Sequence, residues 1–191
     1  MHAARQLFAK HGYENTQTAA IAREAGTSES QLIRYFGGKA GLLHAIFDEA
    51  WQPLNERVHD LLIDVPDARR ALLTILGAVL TVFDRDRDLA TLFLLEGRRI
   101  RAGSEEVRLS PGFVAFSETV RRLIARGQKE GSFAAALDAH AMAVALMGAV
   151  EAMARERLLA RRAARARAIS DRQLQRIFAA ILDGFSSARQ G

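Results

Sequence analysis

Apolar residues recur at three- and four-residue spacing through almost the whole chain, and no stretch alternates as a strand would, so the pattern predicts an all-α protein. The first helix runs through Ala4, Leu7 and Phe8 to about His11 and stops at Gly12, a common breaker. A second starts near Thr18, after the polar cluster Asn15-Thr16-Gln17, and ends at Gly26-Thr27. Ser28 opens a third, with Gln31 at capping-box spacing, and Gly37-Gly38 closes it. A long fourth helix follows through Leu42, Leu43, Ile46, Phe47, Trp51 and Leu54, with a bend expected at Pro53. Pro66-Asp67 precedes a fifth through Leu72, Leu76 and Phe83, and the charged stretch Asp84 to Asp88 leads into a sixth over Leu89–Ile100. Ser110-Pro111 is an N-cap and first-turn pair for a seventh through Phe113, Phe116 and Ile124. Asp138 caps an eighth that reaches about Arg162, and Ser170 with Gln173 makes a second capping box for the ninth.

Nine helices without an internal repeat suggest a three-helix domain over residues 1–46 and a larger helical bundle over 47–191, with the fourth helix shared. A chain of 191 residues can bury one or two real cores. With no cysteine, disulfides, thiolate metal sites and cysteine nucleophiles drop out, and a reducing cytoplasm is compatible. The longest apolar run, Ala141 to Val150, is too short to span a bilayer, so no membrane partner is expected. The five histidines are scattered, and no zinc-protease, nucleophile-elbow or phosphate-loop pattern appears, so neither an enzyme nor a cofactor is expected. The net charge of +5 carries little weight for nucleic acid: residues 1–50 hold five basic and five acidic side chains, whereas 155–191 hold nine basic and three acidic.

The second and third helices have the residues that a helix-turn-helix requires. Ile21 is apolar, Ala22 is the small contact, Ala25 is expected to face inward, Gly26 makes the turn, and Leu32 and Tyr35 are the inward residues of the second helix. Thr27 is the one weak fit. The flanks extend the pattern: Ala4-Arg5-Gln6-Leu7-Phe8-Ala9-Lys10-His11-Gly12-Tyr13, then Ile21-Ala22-Arg23-Glu24-Ala25-Gly26-Thr27-Ser28, then Leu32-Ile33-Arg34-Tyr35-Phe36-Gly37-Gly38-Lys39 and Leu42-Leu43. In order and spacing this stretch resembles the TetR family of regulators. It departs at Gln17, where a second Thr is frequent, at Ser30, where Gly or Pro is, and at Ile33, where Tyr is. The residues given ahead of the first helix include no basic arm of the kind many members carry, which implies a longer natural start or weaker non-specific affinity.

The resemblance implies a sequence-specific, DNA-binding repressor on a double-stranded operator, cytoplasmic, with a helical C-terminal domain that dimerises and binds a small effector. Phosphate contacts fix register and base-edge contacts specify sequence. Thr16, Gln17 and Thr18 are candidates for one phosphate, Lys39 for another, and Tyr35 for core packing with its hydroxyl on the backbone. On the reading helix Ser28 caps, Glu29 and Ser30 face outward, Gln31 could pair with adenine, Ile33 could touch a thymine methyl, and Arg34 could take guanine or phosphate.

The eighth helix is apolar nearly all round over Ala141–Val150, and the ninth carries one apolar stripe. Val144, Met147, Val150, Leu174, Ile177, Phe178, Ile181, Leu182 and Phe185 are therefore candidates for a four-helix homodimer interface, against the alternative that they close the core of a single chain. Trp51, Phe83, Phe93, Phe113, Phe116, Met142 and Met147 could line an apolar effector cavity, although each alone is as well explained as core. The arginines from Arg155 to Arg167 read as a solvated helix end and loop. The rival from another class is a helical ligand-binding or scaffold protein that has lost DNA binding.

Overall fold

The computed structural model describes residues 1–96, 110–163 and 169–186. The end of the expected sixth helix, at 97–100, and Arg165 and Arg167 lie outside the described residues. Among the described residues all regular structure is helical: α1 His2–His11, α2 Thr18–Glu24, α3 Glu29–Phe36, α4 Lys39–Leu62, α5 Ala68–Arg85, α6 Arg87–Thr91, α7 Pro111–Lys129, α8 Ala139–Arg162 and α9 Asp171–Gly184. After α6 the chain continues as a π-helical turn over Leu92–Glu96. Two compact units form, Met1–Pro53 with Phe83–Phe113, and Leu54–Val82 with Val114–Gly191. They divide inside α4 at Pro53, the residue without an N–H for the helical ladder.

In the first unit α1 to α4 surround a core of Ala4, Phe8, Tyr13, Ile21, Ala22, Leu32, Leu42, Leu43 and Ile46. Leu92 of the π-turn is fully buried in the same core, and Arg5 of α1 pairs with Asp86, the N-cap of α6, at 2.8 Å. Packing therefore carries this unit beyond residue 46. Two inward assignments change. Ala25 is exposed at the end of α2, and Tyr35 is 71% exposed. One turn after Leu32 it is Phe36 that packs on the core, because i and i+4 share a helix face and i+3 here falls outside it.

Helix α3 is set against α4 by a missing side chain. A Cβ on Gly41 would lie 1.6 Å from the carbonyl oxygen of Phe36, so only glycine lets the two helices approach this closely.

The second unit buries Ala68, Ala71, Leu72, Ile75 and Leu76 of α5, Phe116, Val120, Leu123 and Ile124 of α7, Met142, Ala143 and Leu146 of α8, and Leu174, Phe178 and Leu182 of α9. Of the nine residues assigned to a subunit interface, Leu174, Phe178 and Leu182 are thus core within one chain. An apolar stripe at helical spacing states that a face is covered, and here the covering helices belong to the same chain. Val144 and Ile177 remain exposed, and Met147, Val150, Ile181 and Phe185 are half-buried. Arg157 is buried and bonded to Asp171, so this member of the arginine run pins α8 to the start of α9.

Gly41→Ala should destabilise the fold by about 3 kcal/mol or more, the upper range for overpacking, because the obstructing atom is backbone. Gly77→Ala, where an added Cβ meets nothing within 4 Å, should raise stability by about 0.5–1 kcal/mol through helix propensity. Denaturant midpoints of the two variants check the pair; equal shifts would contradict the close approach at Gly41.

Candidate nucleic-acid interface

The turn between α2 and α3 is a Schellman close. The Thr27 N–H donates to Ala22 O at 2.9 Å and the Gly26 N–H to Arg23 O at 3.2 Å, with Gly26 left-handed at φ +65°. Ser28 then starts α3 with a complete capping box: its Oγ accepts from the Gln31 N–H at 3.2 Å, and Gln31 Oε1 accepts from the Ser28 N–H at 3.3 Å. Gln31 Oε1 takes a second hydrogen from Thr27 Oγ1 at 2.7 Å. Ser28 Oγ and Ser30 Oγ share a hydrogen bond at 3.0 Å. Thr18 Oγ1, at the start of α2, donates to Glu29 Oε1 and ties the two helix starts together. At the far end of α3, Gly37 is left-handed and its N–H returns to Ile33 O at 2.8 Å.

With Leu32 and Phe36 turned inward, the outer face of α3 holds Glu29, Ser30, Gln31, Ile33, Arg34 and Tyr35, all exposed. Ile33 is 49% exposed, and the Arg34 guanidinium stacks 5.5 Å from the centre of the Tyr35 ring. The exposed positions carry an apolar branch, a planar cation, a phenol, a carboxylate, a hydroxyl and an amide. A short helix with that chemistry suits base edges and phosphates in a major groove.

Two residues expected to hold phosphates are engaged elsewhere. Thr16 is 4% exposed, and its hydroxyl donates to Gly12 O at 2.7 Å and Leu7 O at 3.3 Å, so it closes the end of α1 instead. Lys39 Nζ donates to Tyr13 O at 2.8 Å and Glu14 O at 3.2 Å, and lies 4.5 Å from the centre of the Tyr13 ring. Tyr13 in turn packs on Phe8 at 5.3 Å between ring centres. The ammonium clamps the corner between α1 and α2, a role that sequence spacing could not reveal because its partners are backbone carbonyls 25 and 26 residues away. Gln17 is exposed, and its carbonyl accepts from Ala20 and Ile21. Gln31, expected to pair with adenine, has its oxygen committed twice and offers its amide hydrogens alone.

The effector candidates separate. Trp51, Phe83, Phe93 and Phe113 form one cluster in the first unit, joined by Phe47, which was not among the effector candidates. Phe93 is its hub, with ring centres 4.9 Å from Phe47, 5.1 Å from Trp51 and 6.2 Å from Phe83, while Trp51 meets Phe113 at 5.5 Å. None of the five rings is fully buried. Phe116 and Met142 are buried in the second unit, and Met147 is half-buried there.

Residues 1–46 match the family model described as bacterial regulatory proteins, tetR family. Over 97 residues the chain is 27% identical to the fatty acid metabolism regulator protein of Bacillus subtilis (strain 168), a stretch that covers 51% of this chain and 50% of that relative. The chain thus spans about half the length of that relative. Among solved structures, the fatty acid degradation regulator FadR from Bacillus halodurans superposes with a TM-score of 0.78 at 21% identity, over 96% of this chain and 95% of that one. The transcriptional regulator FadR from Bacillus subtilis, in complex with stearoyl-CoA, gives 0.77 at 18% identity, over 97% and 95%. At these identities the structural likeness concerns the fold.

Lys39→Met keeps the aliphatic stem and removes both donors. Bonds from a charged donor are worth about 1.5–3 kcal/mol when buried, so this partly exposed clamp should cost about 1–2 kcal/mol. The expected result is a lower urea midpoint with an unchanged slope. An unchanged midpoint would mean that the clamp contributes nothing to the fold.

Proposed function

We propose that the chain, whose residues 1–46 match the tetR family model, is a TetR-family regulator, a cytoplasmic, homodimeric repressor that leaves its operator when a small, largely apolar molecule binds. The reading is supported by its likeness to the fatty acid metabolism regulator protein and to the transcriptional regulator FadR of Bacillus subtilis. The observation that carries the DNA-binding reading is the outer face of α3. A helix locked at both ends by caps and seated on the core through Leu32 presents Ile33 and Tyr35 to solvent beside Arg34. On such a helix Ile33 can meet a thymine methyl and Arg34 a guanine or phosphate. No helix among the described residues is long and apolar enough to cross a membrane.

The deciding experiment is binding to the duplex upstream of the protein's own gene across a salt titration. Specific retention with a steep salt dependence is expected. Failure to retain any duplex at low salt would favour the helical ligand-binding or scaffold alternative.

Homodimerisation is supported by what α8 and α9 leave uncovered: Val144 and Ile177, with half-buried Met147, Val150, Ile181 and Phe185. A two-fold dimer also matches a symmetric operator. Ile177→Glu should give folded monomers in sedimentation at micromolar concentration, since it places a charge on an exposed position. Leu182→Glu should instead unfold the chain, because Leu182 is buried in the core of its own unit. A wild-type monomer under the same conditions would overturn this part of the proposal.

The effector reading is supported by the incompletely buried rings around Phe93, and a long-chain fatty acyl group, the apolar part of the stearoyl-CoA held by the Bacillus subtilis structure, is the first moiety to test. Trp51 is the only tryptophan, so its emission should report binding. A ligand that weakens operator binding must itself bind less tightly when operator is present, by a coupling of ~1–3 kcal/mol, or roughly 5- to 150-fold. Equal ligand affinity with and without operator would end the allosteric reading.

A further inference from the structure

The first turn of a reading helix faces base edges, and in this chain that turn is Glu29, Ser30 and Gln31. Each has a defined hydrogen-bonding capacity once the internal bonds are subtracted. Gln31 Oε1 already accepts from Thr27 Oγ1 and the Ser28 N–H, so this side chain can donate to a base but has lost its means of accepting from one. Ser30 shares its hydroxyl with Ser28. Glu29 keeps one full carboxylate oxygen, Oε2, while Oε1 is held by the Thr18 hydroxyl from the start of α2. The carboxylate is therefore both the strong acceptor of the turn and a group whose direction is set by a neighbouring helix.

We propose that Glu29 is a specificity-determining residue that reads a cytosine in the operator half-site and opposes binding to other sequences. This rests on the DNA-binding reading of the chain. A carboxylate can accept from an exocyclic amine, and in the major groove cytosine N4 and adenine N6 are the amines on offer. Adenine sets its N7 acceptor beside N6, where a second lone pair meets the carboxylate, while cytosine sets a C–H there. Cytosine is the match. Where no amine stands opposite, an anion on the groove-facing turn is stripped of water near phosphates and finds no partner, which raises the cost of every wrong site. The first turn of α3 is a position that favours a negative side chain.

The test selects duplexes from a randomised library with the full-length protein and with Glu29→Gln and Thr18→Val, alongside retention on one unrelated duplex at low salt. Wild type should show one half-site position at which cytosine dominates. Glu29→Gln should lower that preference about tenfold, in line with the loss of one good base contact, and should bind the unrelated duplex several-fold better. Thr18→Val keeps the charge and removes the tether, so it should weaken the cytosine preference without the rise in unrelated binding that Glu29→Gln shows. Helical content and melting of both variants should match wild type, since Glu29 is exposed and Thr18 only half-buried. If wild type selects a sequence and Glu29→Gln selects the same one with unrelated binding unchanged, the inference about Glu29 is overturned and the DNA-binding reading stands. If wild type selects no sequence, the DNA-binding reading itself fails.

Discussion

An eight-residue helix does not hold itself together in water, where isolated helices below ~12–15 residues are marginal even with good helix formers. Helix α3 is that short, so its existence and its direction come from what surrounds it. Ser28 and Gln31 satisfy the N-terminal donors, Gly37 closes the C-terminal end, Leu32 and Phe36 anchor the inner face, and the absent Cβ of Gly41 lets α4 come up against Phe36. Apart from the cap made by Gln31, these constraints act on backbone or core, which leaves Ile33, Arg34 and Tyr35 of the outer face free of structural duty. A reading helix needs that division: if the outer residues also carried stability, changing what is read would unfold the reader.

Polar side chains around the helix show how far that division is kept. Thr16, Thr27, Ser28 and the oxygen of Gln31 are spent on caps and turns. Lys39 holds the α1–α2 corner by two carbonyls and the Tyr13 ring. A cation in that position still contributes its field to an approaching phosphate backbone, because Coulomb attraction needs no direct bond. Placement of the corner and attraction of DNA then fall on one residue, and a variant at Lys39 acts on both. Arg34 and Tyr35, stacked on each other, make no such structural bond and can respond to DNA alone.

Much of this was legible in the sequence because it depends on local chemistry. Both capping boxes, the Asp138 cap and the breaks at Gly12, Gly26 and Gly37 follow from residues within a few positions of one another. The losses share a physical cause. Whether Tyr35 or Phe36 turns inward depends on how α3 is rotated on the core, since both positions lie one turn after Leu32. Leu174, Phe178 and Leu182 show the same stripe whether their partners come from their own chain or from a second one. Thr16 and Lys39 are the residue types that bind phosphate, and they serve equally well on carbonyl oxygens once the chain brings those near.

Helix α6 and the π-turn after it were expected as one continuous helix, and the difference bears on control. In a π-turn an extra residue is accommodated per turn, which alters the side-chain directions an α-helix would set and is frequent at functional sites. Here neighbouring residues serve two environments of the first unit: Leu92 is buried in the core that seats α1 to α4, and Phe93 is the hub of the rings from Phe47, Trp51 and Phe83. On the proposed reading, an effector that shifts the backbone at Phe93 also displaces Leu92, because one peptide unit joins them. Close-packed cores respond to such a displacement by switching between packings rather than by stretching. The coupling path from effector to operator then needs only the distance from Phe93 to Leu92 to the residues that hold α3, all within one compact unit. The aromatic cluster and the reading face are thereby parts of a single packing problem.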